Sequence, residues 1–236
     1  PLEEEIACIS REDIGFYQKT DTGNTIPQVE RTNAYIRGIF GNINEKQLGI
    51  NESTVGSRSE LSSPNADVSI TELTLIAMEQ CSTAREAIQV MGSLAEEYGY
   101  RESCWLGECL TVTDPNEAWV FEIFGVGPLW TKDSGKSGAV WAAKRVPDGH
   151  VTVVPNFSRI QKMEPNSDDM MFSDNYEEVA IELGLYDPET DGEFVWNKAY
   201  GDVEGGESNR LWRFYNLMQP SKDWAYDDVD NYPFSI

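Results

Sequence analysis

The chain has 236 residues, and its 41 Asp plus Glu against 18 Lys plus Arg leave a formal net charge of -23. A surface of that sign repels phosphate backbones and argues against nucleic-acid binding. With 40% hydrophobic residues, 7 Trp, 10 Tyr and 9 Phe, the chain supports a packed core rather than global disorder.

No apolar run approaches the roughly 20 residues needed to span a bilayer. The acidic opening Pro1-Leu2-Glu3-Glu4-Glu5 does not read as a signal peptide. With no initiator Met, the start reads as processed or trimmed.

In chain order, residues 6–9 form a short strand, and Asp21-Thr22-Gly23-Asn24 reads as a turn. Residues 33–40 (NAYIRGIF) are β-rich. Residues 41–44 form a tight connection, 47–51 a second short strand and 57–69 a polar loop. A short helix covers 71–80. A second opens on the capping box Thr83-Ala84-Arg85-Glu86. Its apolar residues Ala84, Ala87, Ile88, Met91, Leu94, Ala95 and Tyr98 recur at the helical period, and Gly99 stops it.

The pattern then switches to β. Residues 109–113 and 118–124 flank the turn Asp114-Pro115-Asn116-Glu117. Residues 139–146 and 150–154 flank Pro147-Asp148-Gly149 as a second hairpin. Both faces of 118–124 are apolar, so that strand is covered on both sides. Residues 161–175 are polar and acidic, 176–183 helical, and 209–218 (NRLWRFYNLM) a further amphipathic helix ended by Pro220. The tail after Lys222 reads as a loop. Helices beside antiparallel hairpins give an α+β class, in one domain over 1–236.

Several familiar signatures fail. Ser134-Gly135-Lys136-Ser137 lacks the leading Gly of a phosphate loop, where Trp130 stands. Asp187-Pro188-Glu189-Thr190-Asp191-Gly192 starts like a calcium loop, but Lys198 stands at its closing position. His150 is the single His, so a Cys/His zinc set cannot form among Cys8, Cys81, Cys104 and Cys109. Cys104 and Cys109 are close enough to pair in an oxidising compartment; otherwise all four are ordinary thiols. The compartment stays open. Two sequons, at Asn51 and Asn156, read as chance.

A hydrolase with almost no His has another route. The amine of an N-terminal nucleophile acts as its own base, its pKa lying near neutrality. Such a site needs amide donors for the oxyanion and a cation to orient the nucleophile.

Against that chemistry, Asn44-Glu45-Lys46-Gln47-Leu48-Gly49-Ile50-Asn51-Glu52-Ser53-Thr54 resembles a segment of the cysteine-nucleophile dipeptidases, a group that includes the secernins. Ile26-Pro27-Gln28-Val29, Thr83 to Ile88, Asp114 to Trp119, Glu122, Gly138 to Trp141, Val146 to Gly149, Asn156 and Asn209-Arg210-Leu211-Trp212 continue the match in order over residues 26–215. The resemblance implies an N-terminal-nucleophile (Ntn) hydrolase αββα four-layer sandwich, shared with bile-salt hydrolases and penicillin V acylases. It also implies an N-terminal Cys that attacks a peptide carbonyl, with no metal or other cofactor.

The family's Cys-Thr-rich opening strand and its Asp-Gly-Ser turn are not found here. Cys8 falls too late to be the nucleophile, and Pro1 has no nucleophilic side chain. The resemblance therefore implies that no nucleophile lies in this chain, that it is shortened at the N-terminus and in its C-terminal part, and that a further segment or a second copy completes the sheet. Asn156 matches an Asn that contacts the reacting carbonyl or the nucleophile's amine, and Arg210 an Arg that helps hold the thiolate. Asn51, Glu52, Ser53 and Thr54 occupy the strand end where relatives place oxyanion or substrate contacts: Asn51 and Thr54 are read as catalytic, Glu52 and Ser53 as substrate-binding. Glu122, alone in an apolar strand, suits a substrate α-ammonium, or is a structural acid. Three functions stay open: a dipeptidase, an acyl-amino-acid amide hydrolase on the same scaffold, and a non-catalytic peptide-binding homologue.

Overall fold

The computed structural model describes residues 6–7, 10–13, 18–21, 25–26, 29–101, 106–201, 208–226, 228 and 231–236. Two small ribbons come first: β1 (Ile6–Ala7) pairs with β4 (Thr25–Ile26), and β2 (Ser10–Asp13) with β3 (Gln18–Asp21). The strands β5 (Tyr35–Arg37), β6 (Gly41–Asn44), β7 (Gly49–Gly56), β8 (Leu106–Thr113), β9 (Ala118–Phe124), β10 (Val140–Arg145) and β11 (Met170–Phe172) form one seven-stranded sheet. Each pairs antiparallel with its neighbour in chain order.

Helices α1 (Ile70–Gln80) and α2 (Ala84–Tyr98) sit between β7 and β8 in the chain. Both have side-chain caps. Ser69 accepts from the Glu72 amide, and Thr83 from the Glu86 amide. The Glu86 carboxylate reaches the amide of Ser82, one residue outside the box. The β8–β9 turn is joined to the start of α2. Asp114 accepts from the Asn116 and Glu117 amides within the turn and, at 2.8 Å, from Ala84 N, a donor of the first helical turn that has no intrahelical partner. Arg85 grips Glu117 through two bonds of 2.8 and 2.9 Å.

Strand alternation then sorts the core into two layers. Ile50, Leu110, Val112, Trp119, Phe121, Ile123, Trp141 and Ala143 face α1 and α2. Gly92 lets α2 come close: a Cβ there would lie 2.4 Å from the Trp141 ring. The opposite face presents Val55, Cys109, Val120, Phe124, Val140 and Ala142 to α3 (Tyr176–Glu182), α4 (Trp196–Ala199) and the loops around them. So β9 is covered on both faces, as its composition requires. A third cluster joins Leu211 and Tyr215 of α5 (Ser208–Met218) to Tyr232, with Val153, Phe157, Trp212, Trp224 and Ile236 packed against them. The buried Arg159 ties this cluster together, donating to Tyr215 Oη at 3.0 Å and to Pro233 O at 2.7 Å.

The α+β class holds, in the form of a large antiparallel sheet flanked by helices. Several sequence expectations change. Residues 41–44 are a strand, not a connection. Of 33–40 only Tyr35–Arg37 is extended, and the strand expected at 47–51 runs on to Gly56. Residues 150–154 do not pair with 139–146. Val151 instead exchanges backbone bonds of 2.8 and 3.0 Å with Ile236, and β11, from the stretch read as polar, takes the edge of β10. Both pairings link distant parts of the chain, which local turn signals do not encode. Cys109 is a free buried thiol, as is Cys81; Cys104 and Cys8 lie outside the described residues. No helix among the described residues is long and apolar enough to cross a membrane.

Candidate active site

The site is built on β7. Residues 154–156 run beside this strand, held by a long 3.5 Å contact from Ser53 Oγ to Val154 O and by a 2.7 Å bond from Asn156 Nδ2 to Thr54 O. Asn156 adopts a left-handed backbone conformation, φ 65°. Among non-glycine residues, Asn tolerates that region best. The conformation turns the chain at this point and presents the amide to the strand.

Arg210 of α5 completes the group. Its Nη2 donates to Asn156 Oδ1 at 2.9 Å and to Pro155 O at 3.1 Å. The Asn156 amide therefore has one orientation, its oxygen toward the guanidinium and its nitrogen toward the Thr54 carbonyl. An amide nitrogen carries two hydrogens. One serves Thr54; the other is a donor of fixed direction, polarised by the cation on the amide oxygen.

The four candidates on β7 do not share one surface, because successive side chains alternate across a strand. Ser53 and Asn51 point away from α1 and α2; Glu52 and Thr54 point toward the helix layer. Thr54 Oγ1 lies 2.9 Å from Glu52 Oε1 and 3.5 Å from Glu108 Oε1. Glu108 is fully buried. Its place in strand β8, just ahead of the segment read as extended, is why the sequence did not single it out. Thr54 thus meets Asn156 through its backbone carbonyl, while its side chain serves two carboxylates on the other face. Asn51 is exposed at the far end of β7 and lies against Gly41, where a Cβ would fall 2.5 Å from its Oδ1.

Glu122 stands apart. It is 0% exposed. Its carboxylate accepts from Ser158 Oγ, from the Arg159 and Ile160 amides at 2.6 and 3.1 Å, and from Trp196 Nε1 at 2.9 Å. Four donors use the roughly four lone-pair directions of a carboxylate, leaving none for a substrate ammonium. Burial pushes its pKa up, against the pull of those four donors. Glu122 holds the segment following Asn156 onto β9, so its place in the structure is that of an anchor rather than a substrate contact. Its partners Ser158 and Trp196 carried no signal in the sequence; the lone acid in an apolar strand did.

Cys109 sits in the same row, the register partner of both Ser53 and Glu122. Burial, with Glu122, Glu108 and Glu52 adding to it, pushes its thiol well above the ordinary value. A thiol so protonated is a poor nucleophile.

The family model Peptidase family C69 matches residues 18–235. The chain belongs to peptidase family C69. It is 24% identical over 163 residues to a protein named probable dipeptidase from Salmonella dublin, a match covering 67% of this chain and 34% of that protein. It is 25% identical over 181 residues to a dipeptidase from Bifidobacterium longum, covering 68% of this chain and 29% of that protein. A probable dipeptidase B from Lactococcus lactis is 26% identical over 121 residues, 51% of this chain and 22% of that protein. The matches thus span about a third or less of the length of these relatives.

Proposed function

We propose that this chain carries the oxyanion-binding and orienting groups of a dipeptidase whose nucleophile is a Cys at the mature N-terminus of the whole protein. The observation that carries the reading is the connected set Arg210–Asn156–Thr54, which joins a helix, a left-handed turn and a central strand through bonds of 2.9 and 2.7 Å. The second Asn156 N–H is the donor for the developing oxyanion. A pre-aimed donor of this kind needs no reorganisation as charge appears. Arg210 fixes that donor and places a positive charge where a thiolate gains from it. Attack on the peptide carbonyl forms a thioester and releases the C-terminal amino acid. Water then attacks the thioester, releasing the second amino acid and restoring the thiol.

The reading extends to the fold. We take the seven-stranded sheet as one of the two sheets of an αββα sandwich. In support, beyond the part of the face opposite α1 and α2 that α3 and α4 cover, Ile36 and Ile43 are register partners, and they are 74% and 47% exposed. An open apolar face of that kind suits a second layer.

The experiment is to express the whole protein with its native N-terminus and assay free dipeptides beside N-acyl amino acids. Hydrolysis of dipeptides that disappears when the N-terminal Cys becomes Ala supports the reading. Preference for the acylated substrates, or activity that survives the Cys→Ala change, rules it out.

A further inference from the structure

Beyond the downstream end of β7, the structure has a cleft of about 560 Å³. Three of its lining residues are Arg58, Lys162 and Lys198, against one carboxylate, Glu193. In a chain of net charge -23 with only 18 cations, three on one wall reverse the local sign. Low-dielectric walls focus such a field inside a cleft.

The cations are held open in different ways. Arg58 spends one bond on a backbone carbonyl, Nη2 to Lys198 O at 2.9 Å, so its fork is anchored while its charge stays unneutralised. Among the described residues, neither Arg58 nor Lys198 has a carboxylate partner; Lys162 pairs with Glu193 at 3.3 Å, both side chains being mostly exposed. Such an exposed pair is weak, and an incoming carboxylate can replace Glu193. Phe194 supplies an apolar wall. A ligand that carries apolar groups beside its carboxylate matches this wall better than inorganic phosphate does.

We infer that this cleft is the subsite for the free α-carboxylate of a short peptide. The identity of the ligand rests on the peptidase reading; the cationic cleft does not. Its position fits: Arg58 follows Thr54 along an extended run, about 13 Å away at ~3.3 Å per residue. The Arg58 side chain, the one residue of substrate between the scissile carbonyl and the carboxylate at ~3.5 Å, and a hydrogen bond of ~2.9 Å at each end together span that distance. A subsite of this kind restricts cleavage to peptides whose carboxylate lies one residue past the scissile bond. That excludes endopeptidase cleavage.

The test is calorimetric titration of the full chain with a dipeptide, the same dipeptide as its C-terminal amide, and inorganic phosphate. No turnover is required. The acid should bind about tenfold tighter than the amide, the difference expected for one charge-assisted contact, and tighter than phosphate. Arg58→Gln with Lys198→Gln should erase that difference while the circular dichroism spectrum is unchanged. Glu193→Gln should move the other way, tightening the acid several-fold by removing its competitor. Equal binding of acid and amide, discrimination that survives the double substitution, or phosphate binding as tight as the dipeptide would each overturn the assignment. Retained discrimination in a whole protein that hydrolyses no peptide would defeat the peptidase reading alone; hydrolysis with equal acid and amide binding would defeat the subsite alone.

Discussion

Asn156 and Glu122 show how far a single residue can be read from sequence. Asn156 stood out as a site residue only through resemblance; its side-chain bonds run to Arg210 and Thr54, residues far away in the chain. Glu122 stood out physically, as one acid in an apolar strand. That signal indicates burial but not which partners fill the lone pairs, and here the partners are a hydroxyl, two amides and an indole. Their geometry yields a prediction. In Glu122→Gln the amide nitrogen must face two N–H or O–H donors, leaving donors unsatisfied inside the core. The substitution should cost about 2 kcal/mol, measured by urea unfolding. Wild-type stability in that variant would mean that the four bonds hold nothing in place.

At the scale of elements, α2 and the β8–β9 hairpin were legible because their signals are local: a capping box, a helical apolar stripe and an Asp-Pro-Asn-Glu turn. The bond between them was not, since Asp114 caps α2 from another element. The Arg85 hydrogen bonds hold the Glu117 carboxyl below its ordinary value of 4.5, aided by Trp119 and Arg145 and opposed by burial. A depressed folded-state pKa stabilises the fold above the unfolded value and loses that stabilisation as pH falls through the folded one. Arg85 is 40% exposed, so screening limits the effect to about 1 kcal/mol. Glu117→Gln should therefore lower stability by about that much at pH 7 and by less at pH 3, below the unfolded value. A penalty of equal size at both pH values would show that the ion pair contributes only packing.

For the whole molecule, the sequence conveyed the α+β class and the central strands, because β9 must be covered on both faces. It did not convey the pairing of 151 with 236 or the placing of β11, which depend on closing long loops. Nor did it convey how alternation on β7 divides Asn51, Glu52, Ser53 and Thr54 between two faces once Ile50 is fixed in the core. The cationic cleft escaped notice for a related reason: Arg58, Lys162 and Lys198 are scattered in sequence and meet only in the fold.

The central claim concerns Asn156, and Asn156→Gly tests it best because glycine keeps the left-handed backbone at no steric cost. In the whole protein, dipeptide hydrolysis should show kcat reduced about 10²- to 10³-fold, with KM nearly unchanged and the circular dichroism spectrum that of a folded protein. Unchanged kcat in a folded Asn156→Gly protein would contradict the assignment of the oxyanion donor and, with it, the account of the site.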